Sequence, residues 1–215
     1  MQPMVLEITQ WLRQCGKISV ALVAGTAFIC SLLHSPSAQA LDEDDLKRLI
    51  ETGDCPGCNL EEADLRRLDL TGANLEGANL KDANLFYTIL DGANLSGADM
   101  SFTNLAYVRA LTIVIDELDS DGQNLTIPAQ FVGANLEGSL LNYADFSGAV
   151  MEQTNFQDAY IHKTSFVDSD LSLSNFETTF VHDVDLRGAN LCGSTYWGGN
   201  DYRRECIVPF TDLGE

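Results

Sequence analysis

Residues 58–107 read CNLEE ADLRR LDLTG ANLEG ANLKD ANLFY TILDG ANLSG ADMSF TNLAY. Every fifth residue is large and apolar, from Leu60, Leu65 and Leu70 to Met100 and Leu105. Two positions earlier sits a small residue, mostly Ala. The register returns at Ala129 in a new phase, with centres Phe131, Leu136, Leu141, Phe146, Met151, Phe156, Ile161, Phe166, Leu171, Phe176, Val181, Leu186, Leu191 and Tyr196. All 24 centres (10 and 14) are apolar or aromatic. The earlier position is Ala, Ser, Thr or Cys in 22 of them, Leu68 and Val184 being the exceptions.

A period of five suits neither the 3.6 of a helix nor the 2.0 of a strand. The recurrent Gly, Asn and Asp favour turns over a long helix. A solenoid satisfies all three facts: each pentad makes one short side and a corner, four pentads close a coil of twenty, and coils stack at ~4.8 Å. Both apolar positions then face the axis, and Asn or Asp between them can bond the backbone near each turn. Residues twenty apart fall into columns. Leu136, Phe156, Phe176 and Tyr196 make one interior column, Phe146, Phe166 and Leu186 a second, and Leu141, Ile161 and Val181 a third.

This A-[ND]-L-x-x pattern resembles the pentapeptide-repeat family. The resemblance implies an all-β fold, a right-handed quadrilateral β-helix, with no cofactor. The segment Glu51–Leu65, ETGDCPGCNLEEADL, is similar to the entry into the repeats of exported cyanobacterial members, which implies the thylakoid lumen or periplasm.

Outside the repeats, an apolar run from Ile18 to Leu33 follows Arg13 and Lys17 and precedes Ala38-Gln39-Ala40. Basic flank, short apolar stretch and small-x-small site describe a secretory signal peptide over 1–40. Sixteen apolar residues are short for a membrane span of ~20, so no membrane association is expected after cleavage. Leu41–Thr52 reads as an amphipathic helical cap within 41–57, with Leu46, Leu49 and Ile50 as its apolar stripe and Gly53 as its stop. The repeat blocks are then 58–107 and 129–197. Residues 108–128 form an insertion, and 198–215 a C-terminal cap and tail, with capping residues drawn from Trp197–Pro209.

The chain has 215 residues and a net charge of −20, from 12 Lys+Arg against 32 Asp+Glu. That balance excludes a nucleic-acid binder, which needs clustered cations on phosphate. No phosphate loop, zinc-finger spacing or nucleophile elbow is present, so a non-enzymatic scaffold binding an unknown protein partner is the expected function. The family also includes acidic DNA mimics that occupy topoisomerases, which makes mimicry the first alternative. A thiol-redox protein using Cys55/Cys58 is the second, because Cys55-Pro-Gly-Cys58 has thioredoxin-type spacing; a local disulfide or two packed thiols are the structural readings. Cys192 and Cys206 are expected to form a structural disulfide that closes the C-terminal cap. His162 and His182 should stack one coil apart, two ligands where a tetrahedral metal needs four. Asp119, Asp121 and Gly122 hint at a calcium loop, but its twelfth position is Pro128. Finally Tyr87, Phe102 and Tyr107 hold solvent-facing positions. The insertion is expected to pack on them; otherwise they form a partner patch.

Overall fold

The computed structural model describes residues 41–118 and 122–195. Helix α1, Glu43–Thr52, opens the described chain. The Asp42 carboxylate accepts from the backbone N–H groups of Asp44 and Asp45, and three acids occupy the first turn, where the helix dipole favours them. Gly53, at φ 68°, ends the helix in the left-handed conformation and donates to the Leu49 carbonyl. Leu49 is buried and Leu46 packs on the core, but Ile50 is exposed, so the apolar stripe is narrower than expected.

Beyond the helix the chain coils with a period of twenty. Parallel bridges join Asp54 to Asn74, Asn59 to Asn79, Asp64 to Asn84 and Asp69 to Ile89, one for each side of a four-sided coil. Each pentad makes the same bonds. At the pentad centred on Leu80, the Leu80 N–H donates to Asp99 O, Asp82 N–H to Ser101 O and Asn79 N–H to Cys58 O, while Ala83 N–H closes the corner on Leu80 O. The Asn or Asp before each centre serves both directions. Asn155 Nδ2 donates to Asn135 Oδ1 in the coil before, and Asn155 Oδ1 accepts from Gln157 N–H at the next corner. Two pieces of the ladder lengthen into strands, β3 (Tyr160–His162) and β4 (Phe180–His182), paired in parallel.

The centres and the small residues fill the interior. Where the small residue is Ser or Thr, its hydroxyl is satisfied internally; Thr154 Oγ1 donates to Phe131 O and Thr179 Oγ1 to Phe156 O, each 23 residues back. The phenylalanines form the expected columns. Phe156 stacks on Phe176 at 4.7 Å and Phe146 on Phe166 at 5.5 Å, while Phe131–Phe146 and Phe156–Phe166 meet edge to face. Tyr196 and the proposed C-terminal cap lie outside the described residues.

The insertion is shorter than the sequence implies. Arg109 bridges Ile89 and Asp145, and Val108 and Ala110 are buried, so the coil runs on to Ala110 rather than ending at 107. This pentad escaped the pattern because its sizes are exchanged: Val holds the small position and Ala the centre. The first block likewise starts earlier, at the Asp54 bridge, with Cys55 as a centre. Across the gap the bridges are 36 residues apart instead of 20, as in Asn94 to Gln130, so 16 residues leave the coil at one corner. They form an antiparallel hairpin, β1 (Ile113–Leu118) with β2 (Asn124–Ile127). Asp91 fixes its departure by accepting from Leu111 N–H and from the Arg109 guanidinium. Among the described residues, the contacts of the hairpin's base lie away from Tyr87, Phe102 and Tyr107. Ile113 instead covers Gly92, and Thr112 Oγ1 donates to Gly148 O. Glycine corners admit this approach; a Cβ on Gly92 would meet Ile113 at 2.8 Å. Two of the three acidic-loop candidates, Asp119 and Asp121, lie outside the described residues.

Candidate interaction face

The period of twenty sorts the outward positions into four sides. The side whose centres are Leu65, Leu85, Leu105, Leu141, Ile161 and Val181 differs from the rest in chemistry. One corner column on it reads Arg67, Tyr87, Tyr107, Tyr143, Lys163, Asp183. Tyr87 stacks on Tyr107 at 4.6 Å and Tyr107 on Tyr143 at 4.9 Å, and Phe86 meets the first two edge-on. Lys163 Nζ lies 5.5 Å from the Tyr143 ring. Beside this column His162 stacks on His182 at 5.1 Å, and Tyr143 approaches His162 edge-on at 5.8 Å.

These side chains stand at a conformational cost. The third residue of each corner is left-handed, a position that glycine fills without strain. On the side centred on Leu75, Leu95 and Phe131, Gly57, Gly77, Gly97, Gly133 and Gly193 take it. The aromatic side has no glycine there: Arg67, Tyr87, Tyr107, Tyr143, Lys163 and Asp183 all have φ between 52° and 60°. A non-glycine residue in this conformation costs about 1–2 kcal/mol. Strain held by well-packed surroundings concentrates at functional sites.

The side also stands apart in charge. Its outward positions carry Arg66, Arg67 and Lys163 against Asp64 and Asp183. The other sides carry seven acids against one Lys, five acids against two Arg, and four acids against no cation. The Arg66 guanidinium pairs with Asp64 and holds that carboxyl at about 2. Of the exposed large apolar residues, Tyr87, Tyr107, Leu140, Tyr143, Tyr160 and Phe180 all lie here.

The residues singled out in the sequence divide accordingly. Tyr87 and Tyr107 come together, 48% and 39% exposed. Phe102 occupies the preceding corner, where its ring lies over Gly138, and is not part of the stack. Tyr143, Leu140, Tyr160 and Phe180 belong to the face although the sequence did not mark them. Tyr143 stands 36 residues after Tyr107, so a rule of twenty could not place it. Cys55 and Cys58 form a disulfide buried under α1, both at 0–1% exposure, with Cys55 at a centre and Cys58 at the next small position. The Arg48 guanidinium lies against the Cys58 sulfur, and Asp45 Oδ2 accepts from Asn59 N–H beside it. Thiol exchange needs a thiolate to reach a sulfur, and here both sulfurs are sealed. Asp45, Cys55 and Cys58 are also the one group of three metal-ligating side chains among the described residues, with both sulfurs engaged in the disulfide. Cys192 is disulfide-bonded, and Cys206, its expected partner, lies outside the described residues. Among the described residues no helix is long and apolar enough to cross a membrane.

A model of pentapeptide repeats matches eight copies in this chain, over residues 54–82, 78–109, 129–166 and 154–195. The chain belongs to the pentapeptide-repeat family. Three solved pentapeptide-repeat structures are similar to it. One is HetL, involved in heterocyst differentiation regulation in the cyanobacterium Nostoc sp. strain PCC 7120, at 22% identity over 69% of this chain and 74% of that one, with a TM-score of 0.38. Another is Rfr23 from the cyanobacterium Cyanothece 51142, at 23% identity over 68% and 96%, with a TM-score of 0.29. The third comes from the Arabidopsis thaliana thylakoid lumen, at 16% identity over 66% and 71%, with a TM-score of 0.21. No curated protein matches the chain.

Proposed function

We propose that this pentapeptide-repeat protein is a non-enzymatic interaction module, a right-handed quadrilateral β-helix exported to the thylakoid lumen or periplasm, whose aromatic side is its binding surface. One observation carries the reading: six strained, glycine-free corner positions display three tyrosines, two cations and one acid on the one side that is not net negative. The leader-like residues 1–40 support export. The test is a gentle cross-link and pull-down of the tagged chain from the organism that makes it, with compartments separated. A protein recovered in stoichiometric amount from an exported fraction is expected. Tyr107→Gly with Tyr143→Gly, which relieves corner strain and removes the rings, should abolish that recovery. Recovery of an uncleaved cytoplasmic chain with a topoisomerase would overturn the reading in favour of DNA mimicry.

A further inference from the structure

We infer that the partner of the aromatic side is a second copy of this chain, docked antiparallel about a two-fold axis that lies across the coil. The inference rests on the reading of that side as a binding surface and adds what occupies it.

A two-fold axis of this kind sets each column against the same column of the other copy in reverse order. Centred between the coils of Tyr107 and Tyr143, it places Arg67 opposite Asp183, Tyr87 opposite Lys163 and Tyr107 opposite Tyr143. Every pair is complementary: an ion pair at each end, a cation over an aromatic ring next, and ring against ring at the centre. The neighbouring columns bring no two like charges together. Asp64 with its Arg66 partner faces the end that carries Phe180 and His182, and Leu140 and Tyr160 fall opposite Asn104 and Asn84. A parallel two-fold, running along the coil axis, would instead exchange the two edges of the side and set Tyr87 and Tyr107 against Asn84 and Asn104, losing both the ring-on-ring pair and the cation over Tyr87. Charge also selects the side. The other three carry acid excesses of six, three and four, so two copies meeting there would repel, whereas this side carries three cations and two acids. Three outward side chains from each of six coils give 18 residues, just below the 20–30 a side of a standard interface. The dimer should therefore dissociate on dilution through a roughly micromolar range.

The experiment is sedimentation equilibrium on the purified full chain, with Arg67→Asp, Asp183→Arg and the double exchange. Each single change sets like charges together twice in the dimer and should raise its dissociation constant about tenfold or more. The double exchange restores both end pairs with their signs reversed and should return the constant to within about threefold of the original. Both residues are at exposed corners, and Arg67 already holds the left-handed conformation that Arg would need at 183, so thermal unfolding should move little. A chain that stays monomeric throughout overturns the proposal. So does an association that the single changes leave intact, or one that the double exchange does not recover. A monomer that still captures another protein through Tyr107 and Tyr143 would overturn the dimer and leave the interaction-module reading standing.

Discussion

At the scale of single residues, two rules explain most of what each position tolerates. Inside, the small position accepts a hydroxyl because a carbonyl awaits it, either one coil away, as for Thr154, or three residues back at the same corner, as for Ser139. Thr154 is fully buried, and the Phe131 carbonyl it donates to also accepts from Ala134 N–H. Thr154→Val keeps the volume, loses one bond and leaves the carbonyl paired. It should lower unfolding stability by about 1 kcal/mol, measured by chemical denaturation. Outside, short carboxylate–guanidinium pairs sit across a centre, as in Asp64–Arg66 and Asp185–Arg187. The hydrogen bonds from Arg66 depress the Asp64 carboxyl to about 2, and Arg187 lowers Asp185 in the same sense. A depressed folded value means the contribution is present above the unfolded value of about 4 and is lost as pH falls toward about 2. Asp64→Asn should therefore flatten the acid limb of a stability–pH curve over that window and change little above it. Neither rule could be read from residue types alone. The hydroxyl of Thr154 was visible as a small residue, but its acceptor lies 23 positions away, across a coil closed only in three dimensions.

Elements here are sides and corners, and their sequence legibility differs. The sides were legible because 24 apolar centres at one spacing leave a single period. Val108–Ala110 was not, because exchanging the two sizes preserves the filling while erasing the pattern. Nor could the sequence say where the hairpin would lie. Its sequence offered apolar residues to any surface, and the choice fell to the corner where Gly92 and Gly148 allow close approach. Because 36 is 20 with 16 added, the coil is continuous beneath the hairpin. Removing residues 113–128 and setting Thr112→Gly joins Leu111 to Ala129 through one glycine corner. The shortened chain should fold with the same circular dichroism and a cooperative thermal transition. A loss of cooperativity would mean that the hairpin helps build the coil rather than decorating it.

For the whole molecule, charge and stacking act along one axis. Three sides hold an excess of acids spread along the stacked coils, so repulsion accumulates with length. Raising salt from ~10 mM to ~1 M shortens the screening length from about 30 Å to about 3 Å. The melting temperature should rise by a few degrees, roughly 2–4 °C for each kcal/mol gained. The candidate side was half legible: Tyr87 and Tyr107 shared a column on the page, whereas Tyr143 required the true length of the excursion to be known. The same backbone bonds that join coil to coil have a mechanical consequence. They point along the axis, so a pull on the two ends opens them one row at a time, as a zipper opens, rather than shearing many at once. Under a steady load the solenoid should pay out chain in coil-sized steps, each releasing 20 residues, or about 66–72 Å of extended length. One step should be nearly twice as long, where the coil carrying the hairpin lets go of 36.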